Sequence, residues 1–114
     1  MPRYVSIALT NPVEGREQEF NEWYDNQHVP DVISLPGCVS AQRFKLTRVQ
    51  MPNRPCPFQY LAVYEFETDD LEAAVAATVE RGGTPAMPRS DAVNWDNFLT
   101  MFYEPLGPKG EKKP

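Results

Sequence analysis

The order in which strand-like and helix-like segments alternate constrains the fold of this 114-residue chain more than any other feature. Short β-branched and aromatic runs bounded by proline, glycine or asparagine predict strands, and apolar residues three and four apart predict helices. The predicted elements are a strand over 3–10, a helix from 14 onward, strands over 38–49 and 58–66, a helix over 70–80 and a strand at about 97–104. This β-α-β-β-α-β order predicts a ferredoxin-like α+β domain, with a four-stranded antiparallel sheet and both helices on one face.

The third and fourth predicted strands are apolar on both of their faces. Tyr60 and Tyr64 alternate with Leu61 and Val63, and the last strand alternates between aromatic and aliphatic residues. A sheet that is solvated on one side shows polar residues on that side. Two helices cover only one face, so we expect a second copy of the chain to cover the other, sheet against sheet, in a symmetric homodimer.

The first predicted helix meets a proline before it ends. Its apolar face consists of Phe20, Trp23, Tyr24, Gln27 and His28. Pro30 removes a backbone donor and disfavours the helical conformation at Val29. We therefore expect a kink or a fresh short turn over 31–35, ended by Pro36-Gly37. His28 is thus predicted to lie where a regular helix becomes irregular.

The second predicted helix carries its own start and stop signals. Asp69 is predicted to be its N-cap with Glu72 as the reciprocal partner, and Gly82-Gly83 to close it. The length of the chain is that of one domain. We expect residues 1–104 to form the ferredoxin-like, dimeric α/β-barrel domain and residues 105–114 to form a basic, solvated C-terminal tail.

The charge and composition of the chain exclude several classes of partner. The net charge is −5, and an acidic body repels the phosphate backbone, so no nucleic-acid partner is expected. No apolar stretch approaches the ~20 residues of a membrane span, and the start lacks the pattern of a secretory signal. A cytoplasmic protein without a membrane partner is expected. Cys38 and Cys56 match neither a disulfide framework nor a closed zinc site, so no metal is expected.

The single histidine, His28, is the first candidate for chemistry, because histidine titrates near neutral pH without perturbation. Tyr24 lies four residues before it on the same helix face, and Asp31 lies three residues after it. A carboxylate at that distance can fix the tautomer of the imidazole and leave the other nitrogen to exchange a proton. The alternative is a structural histidine that packs near a helix end.

Four further residues are candidates for binding a substrate. Arg43 interrupts an otherwise mild strand, and a guanidinium that faces a pocket binds a carboxylate or phenolate. An ion pair at a sheet edge or an interface explains Arg43 equally well. Trp23, Tyr60 and Tyr64 supply aromatic surface for an apolar pocket, although an aromatic residue on a helix or strand also fits a place in the core.

The residues around His28 resemble a known family. Residues 20–31 read FNEWYDNQHVPD, residues 35–37 read LPG and residues 40–44 read SAQRF. The pattern W-Y-x-x-x-H-x-P-D, followed by P-G and by R-[FY] on the next strand, resembles the EthD-like branch of the dimeric α/β-barrel superfamily. The β-α-β-β-α-β order of the whole chain agrees with this resemblance.

The resemblance implies a range of activities on one fold. Relatives include polyketide cyclases, decarboxylating or dehydrating enzymes of aromatic polyketide pathways, muconolactone isomerase-like proteins and cofactor-free monooxygenases. Carried over by position, it implies that His28 is the general acid or base and that Asp31 orients it. Tyr24 and Arg43 would polarise or orient the substrate oxygen. Because the chain has one histidine, a mechanism that needs a histidine pair is excluded.

Three functions are therefore compared. The first is a cofactor-independent acid–base enzyme, a lyase or dehydratase, an isomerase or a cyclase, acting on a small apolar aromatic or cyclic metabolite of a catabolic or polyketide-type pathway. The second is a non-catalytic ligand-binding or accessory dimer that uses the same cleft. The third is a haem- or oxygen-using monooxygenase, since a lone histidine can be an axial ligand.

Overall fold

The computed structural model describes residues 1–52 and 54–114. The strands are β1 (Arg3–Thr10), β2 (Cys38–Lys45), β3 (Tyr60–Glu67) and β4 (Leu99–Tyr103), and the helices are α1 (Glu17–Trp23), α2 (Val29–Ile33) and α3 (Leu71–Arg81), with a five-residue π turn (Tyr24–His28) between α1 and α2. Within these described residues the four strands form one antiparallel sheet in the order β2-β3-β1-β4. The predicted ferredoxin-like α+β architecture is confirmed.

The helices pack on one face of this sheet and form the core with it. Alternate residues of β3 point to that face, and Tyr64 and Phe66 are 3% and 1% exposed. Phe20 of α1 is fully buried, and its ring lies 4.9 Å from that of Tyr60 and 5.1 Å from that of Tyr24. Of the two apolar faces predicted for β3, the one that carries Tyr60 and Tyr64 lies under α1 and the π turn.

The opposite face of the sheet is apolar and open to solvent in the described chain. Its residues come from neighbouring strands in register: Val5 beside Tyr103, Ile7 beside Met101 and Val63, and Leu9 beside Leu99 and Leu61. Met101 and Tyr103 are 46% and 52% exposed. Exposed apolar patches on proteins often mark interaction sites.

Two strand boundaries differ from the predicted ones for a pairing reason. β2 was predicted to reach residue 49 but ends at Lys45, which pairs with Tyr60, the first residue of β3. One more backbone hydrogen bond follows, from the Leu46 N–H to the Gln59 carbonyl at 2.8 Å, and after it the chain enters the proline-rich loop, which cannot continue the ladder. β4 is likewise shorter than predicted and pairs with β1 only from Leu9 to Val5.

The cap of α3 is Asp70, not the predicted Asp69. The Asp70 side chain accepts a hydrogen bond from the backbone N–H of Ala73 at 3.0 Å, and the Thr68 hydroxyl accepts one from the Asp70 backbone. With the cap one residue later, Glu72 lies too early in the helix to complete a capping box. α3 has 11 residues, and none of the described helices is long and apolar enough to cross a membrane.

The helix at Pro30 does not kink into a fresh turn as predicted but widens and continues. The backbone N–H of Val29 donates to the carbonyl of Tyr24, five residues earlier, which is a π-type hydrogen bond. Pro30 cannot donate the next α-helical bond, and α2 then runs on from Val29. The extra residue in the turn lets the helix continue although Pro30 has no N–H to donate. Gln27 is consequently exposed, although the α-helical period predicted it on the buried face.

Candidate functional site

A cavity of about 400 Å³ lies between the helices and the sheet. Its floor includes Ala8, Tyr64 and Phe102, and its walls come from α2, α3 and the segment 82–98. The lining is largely apolar. Its polar side chains are Ser6, Thr10, Tyr24, His28, Tyr64, Thr78, Arg89, Trp95 and Thr100. The volume and the largely apolar lining surface are those of a site for a small organic molecule.

The π turn places His28 in this cavity wall. Because the turn holds one residue more than an α-helical turn, His28 comes to lie over Trp23, five residues earlier, as well as beside Tyr24. The His28 and Trp23 rings are stacked, with centroids 4.6 Å apart and planes 19° apart. The Tyr24 ring meets His28 edge-on at 5.2 Å. The imidazole is thus fixed on two sides by aromatic rings.

His28 is neutral at physiological pH in this environment. Burial lowers the pKa of its imidazole from 6.5 to about 4, and the opposing effect of the Asp31 carboxylate is smaller. The Arg43 cation lowers the pKa of His28 further. The Nδ1 atom is buried and has no hydrogen-bond partner within residues 1–52 and 54–114. Nδ1 is therefore closed off from solvent, which leaves Nε2 as the nitrogen available to a ligand.

Asp31 does not hold the imidazole as predicted. The Nδ1 atom of His28 is unpartnered among the described side chains, and the Asp31 carboxylate accepts a hydrogen bond from the side chain of Gln27 at 2.7 Å. The π turn is the reason, since it exposes Gln27 one turn before Asp31. Asp31 acts on His28 only through its field, which opposes the lowering of the histidine pKa.

Two buried tyrosines provide hydroxyl groups at the cavity. Burial raises the pKa of Tyr24, and a hydrogen bond with Thr10 offsets part of that rise. Burial also raises the pKa of Tyr64, and the nearby Tyr24 adds to this effect. Both phenols are therefore protonated donors at neutral pH. In the described part of the chain, the Tyr64 hydroxyl has no hydrogen-bond partner although it is buried.

Arg43 lies behind Tyr24, whereas the resemblance placed it on the substrate. Its guanidinium donates to Asp25 at 2.8 Å and to Asn21 at 2.7 Å, and it stacks on the Tyr24 ring at 4.5 Å from the centroid. It is not among the cavity-lining residues that the described chain provides. The carboxylate of Asp25 pairs with the Arg43 guanidinium. Its contribution to the cavity is a positive field at His28 and Tyr64.

Tyr60 and Trp23 also lie outside the cavity lining formed by the described residues. The Tyr60 hydroxyl donates to Glu17 at 2.5 Å and accepts from Asn21, so it points toward α1. The Trp23 indole N–H donates to the carbonyl of Pro88 at 3.2 Å, and its ring packs on His28. Trp23 therefore packs against the histidine and is not part of the described cavity lining.

Sequence reasoning missed the segment 82–98, which closes the cavity. It contributes Met87, Arg89, Trp95 and Phe98 to the lining. The indole N–H of Trp95 donates to the carbonyl of Ser90 at 2.8 Å, and its ring lies 6.3 Å from Trp23. A proline-bearing loop without periodicity gave no sign of this arrangement, although a tryptophan within such a loop is a useful signal.

The residues that the structure describes contain no group of three or more histidine, cysteine, aspartate or glutamate side chains placed to hold a metal ion. His28 and the two tyrosines are the titratable groups that the fold brings together at the cavity, with Arg89 at its edge. This set can accept a proton at the imidazole and donate hydrogen bonds from two phenols to an oxygen atom.

The two tyrosines of β3 predict opposite effects on stability. Tyr64→Phe removes a buried hydroxyl without a partner among residues 1–52 and 54–114, so we expect the free energy of unfolding to rise by about 1 kcal/mol. Tyr60→Phe breaks the bond to Glu17 and is expected to lower it by about 1 kcal/mol. Urea unfolding at equal protein concentration measures both. Equal losses in the two variants would show that the Tyr64 hydroxyl has a partner.

Comparison with known proteins finds likeness at the level of structure. No family model matches the sequence, and no curated protein matches it. An ethyl tert-butyl ether D (EthD) family protein of Bacillus halodurans matches with a TM-score of 0.52 and 17% identity, over 93% of this chain and 100% of that one. A DABB family protein with a ferredoxin-like fold from Mesorhizobium loti matches with a TM-score of 0.57 and 13% identity, over 94% and 100%.

The heme-degrader MhuD of Mycobacterium tuberculosis, solved with two hemes in its active site, matches with a TM-score of 0.60 and 17% identity, over 94% of this chain and 99% of that one. Identities this low show the fold. The predicted resemblance to EthD-like and other dimeric α/β-barrel proteins is therefore confirmed for the fold of the chain. Reaction and ligand are separate questions, because this fold hosts several chemistries.

Proposed function

We propose that the protein is a cofactor-independent acid–base enzyme, a lyase or dehydratase, an isomerase or a cyclase, acting on a small apolar aromatic or cyclic compound that carries a carbonyl or phenolic oxygen. The observation that supports this most is the position of the only histidine, neutral and lining a largely apolar cavity of about 400 Å³ beside two buried phenols. Perturbed titratable groups that converge on a cavity are characteristic of catalytic sites.

In the proposed mechanism His28 acts as the general base. Its cavity-facing nitrogen removes a proton from a carbon next to the substrate carbonyl, and the electron pair moves to the carbonyl oxygen to give an enolate. The Tyr24 and Tyr64 hydroxyls donate hydrogen bonds to that oxygen. The imidazolium then returns the proton to a different carbon in an isomerisation, or to a departing hydroxyl group, which leaves as water, in a dehydration.

The low pKa of His28 is compatible with this role. In a site that excludes water a lone imidazolium is unfavourable, so the free enzyme keeps the ring neutral. When the enolate forms, its negative charge stabilises the imidazolium at short range. Proton transfer and charge development on the substrate are thereby coupled. Trp23 and Tyr24 fix the ring during this transfer, since they contact it on two sides.

The titration of His28 tests its environment before any substrate is known. Because the chain has one histidine, its ring protons are identified without ambiguity in an NMR titration. We expect a midpoint at about pH 4 in the free protein, and the same inflection in kcat/KM, with activity lost below it as the base is protonated.

The same shift has a consequence for stability. Between about pH 4 and pH 6.5 the unfolded chain binds a proton at His28 that the folded chain does not, so the free energy of unfolding falls as the pH falls through that window. A midpoint near 6.5, the value of an exposed histidine, would show that the imidazole is solvated and would remove the basis of the proposed site.

We further propose that the active form is a homodimer. The open sheet face carries apolar residues from all four strands, and a two-fold axis places the same surface on both partners. Phe44, Leu99 and Met101 are each more than 40% exposed on or beside this face, which favours burial against a second copy over exposure to water.

A non-catalytic role for the same cavity is the alternative that binding experiments decide. An accessory dimer would bind aromatic metabolites and turn over none of them. Turnover of any compound in a panel of cyclic ketones, hydroxy acids and phenols, with the expected pH dependence, would favour catalysis. Tight binding without turnover across the panel would favour the accessory role.

Haem chemistry is the second candidate, and one observation favours it. His28 is unprotonated at neutral pH and lines the cavity, as a histidine that held haem iron would need to do, and the similar MhuD structure holds hemes. If haem bound here, His28 would hold its iron and the apolar lining would contact the macrocycle. The haem would supply oxygen activation. A Soret band on addition of haem that shifts in His28→Ala would favour this candidate over the cofactor-free one.

A further inference from the structure

We infer that the ligand of this cavity carries a carboxylate on its apolar body, and that Arg89 at the edge of the cavity binds that carboxylate. The proposed carboxylate site lies in the same cavity as the proposed catalytic site, so it deepens the proposed function. It concerns binding alone, so it can be tested without turnover.

Arg89 lies beside two neighbouring groups at the cavity. Its guanidinium lies over the Trp95 ring, 5.2 Å from the centroid. On its other side is the Gly82-Gly83 turn, where a Cβ atom at Gly83 would lie 3.6 Å from the Arg89 Nε atom and 3.8 Å from its Cζ atom. These distances place the arginine side chain within packing distance of the turn. A guanidinium that is pre-oriented in this way loses little freedom when it binds a carboxylate.

Arg89 has no acidic partner among the described residues. Arg3, Arg16 and Arg43 each pair with a carboxylate. Arg89 has neither a salt bridge nor a hydrogen-bond acceptor within residues 1–52 and 54–114. In a chain of net charge −5, acidic partners are plentiful, so a planar cation beside a cavity without one is available to a ligand.

The charge of the cavity lining agrees with an anionic ligand. No aspartate or glutamate is among the lining residues of the described chain, and Arg89 is the one fixed charge among them. Arg43, one layer behind, adds a positive field that reaches His28 and Tyr64. The positive charges of Arg89 and Arg43 therefore attract a carboxylate at this place, although the protein as a whole is acidic.

This arrangement gives the ligand an orientation. With its carboxylate on Arg89, an aryl or alicyclic body extends along Met87 and Phe98 toward the inner part of the cavity. The end of the body away from the carboxylate then approaches His28 and Tyr64. The substrate class is thus a cyclic carboxylic acid that reacts at a position remote from its carboxylate.

Two probes of equal shape test this inference. 2-Naphthoate carries the carboxylate, and 2-naphthalenemethanol replaces it with a neutral alcohol. We expect the protein to bind 2-naphthoate about tenfold more tightly, as isothermal titration calorimetry measures. Arg89→Gln should remove that preference by weakening 2-naphthoate alone, and Arg89→Lys should restore part of it. Arg48→Gln, at an exposed arginine that does not line the cavity, is the matched control and should change neither affinity.

The outcomes that overturn the inference are separate from failure of the proposed enzyme. Equal affinity for both probes, failure to bind either at millimolar concentration, or an equal loss for both in Arg89→Gln would each overturn it. His28→Ala should keep the preference for 2-naphthoate, because the imidazole is not the anion site. A His28→Ala variant that is inactive but discriminates between the probes supports both proposals, and an active one contradicts the mechanism alone.

Discussion

Replacing His28 with alanine is expected to lower kcat by at least about 100-fold on the substrate that the unaltered protein turns over, because a positioned general base contributes about 10² to 10⁴ in rate. The ring is the only imidazole in the chain and lines the cavity. No other neutral base of comparable strength lines the cavity within the described residues. The remaining turnover should be limited by hydrogen bonding from the two tyrosines.

Three measurements distinguish a catalytic imidazole from a structural one. Added imidazole should restore part of the activity of His28→Ala, because the space left by the ring can admit it. Near-ultraviolet circular dichroism should show that the Trp23 environment persists apart from the lost stacking. Asp31→Asn is the matched control, since Asp31 bonds to Gln27 and acts on His28 only through its field. Turnover within threefold of normal in His28→Ala would rule out the mechanism.

A charge on the open sheet face is expected to separate the proposed dimer into monomers. Met101→Glu places a carboxylate next to Ile7 in the middle of that face. In a two-fold interface the change occurs twice, and two buried carboxylates close together are strongly unfavourable. Sedimentation equilibrium should show the mass falling from twice 13.0 kDa to 13.0 kDa at micromolar concentration.

The matched control for this experiment lies on the other side of the molecule. Ile33→Glu introduces the same charge at a residue of α2 with 42% exposure, against 46% for Met101. It should leave the mass unchanged. Dissociation in both variants would indicate a general loss of stability, and a dimer that survives Met101→Glu would place the interface elsewhere.

The sheet could be predicted from the sequence because its signals are local. Alternation along residues 60–66 and the capping and turn residues around them are properties of neighbouring residues, so the order of strands and helices along the chain follows from pattern alone. Which side of β3 the helices cover does not follow, because both of its faces are apolar. Boundaries were less accurate, because β2 ends where β3 ceases to pair with it. The end of β2 therefore depends on β3, which is distant in sequence.

The site was predicted in part, and its errors share one cause. His28, Tyr24 and Tyr64 converge as expected because each occupies the inward face of its element. Arg43 does not reach the cavity, since Asp25 competes for its guanidinium. No rule of spacing shows which acceptor an arginine will choose when several lie within reach. Arg89 was missed because a loop without periodicity gives no direction to its side chains.

The π turn also changes how the helical region is to be compared with other chains. A π turn amounts to one residue inserted into an α-helix, so the residues before Tyr24 and those after His28 follow two helical registers that are out of phase by one position. A related chain without the insertion would carry the equivalent of His28 one residue earlier in its numbering. An alignment without a gap would then place that chain's imidazole opposite Gln27, which is exposed here. The position of the base along this helix is therefore a matter of residue count as much as of residue identity.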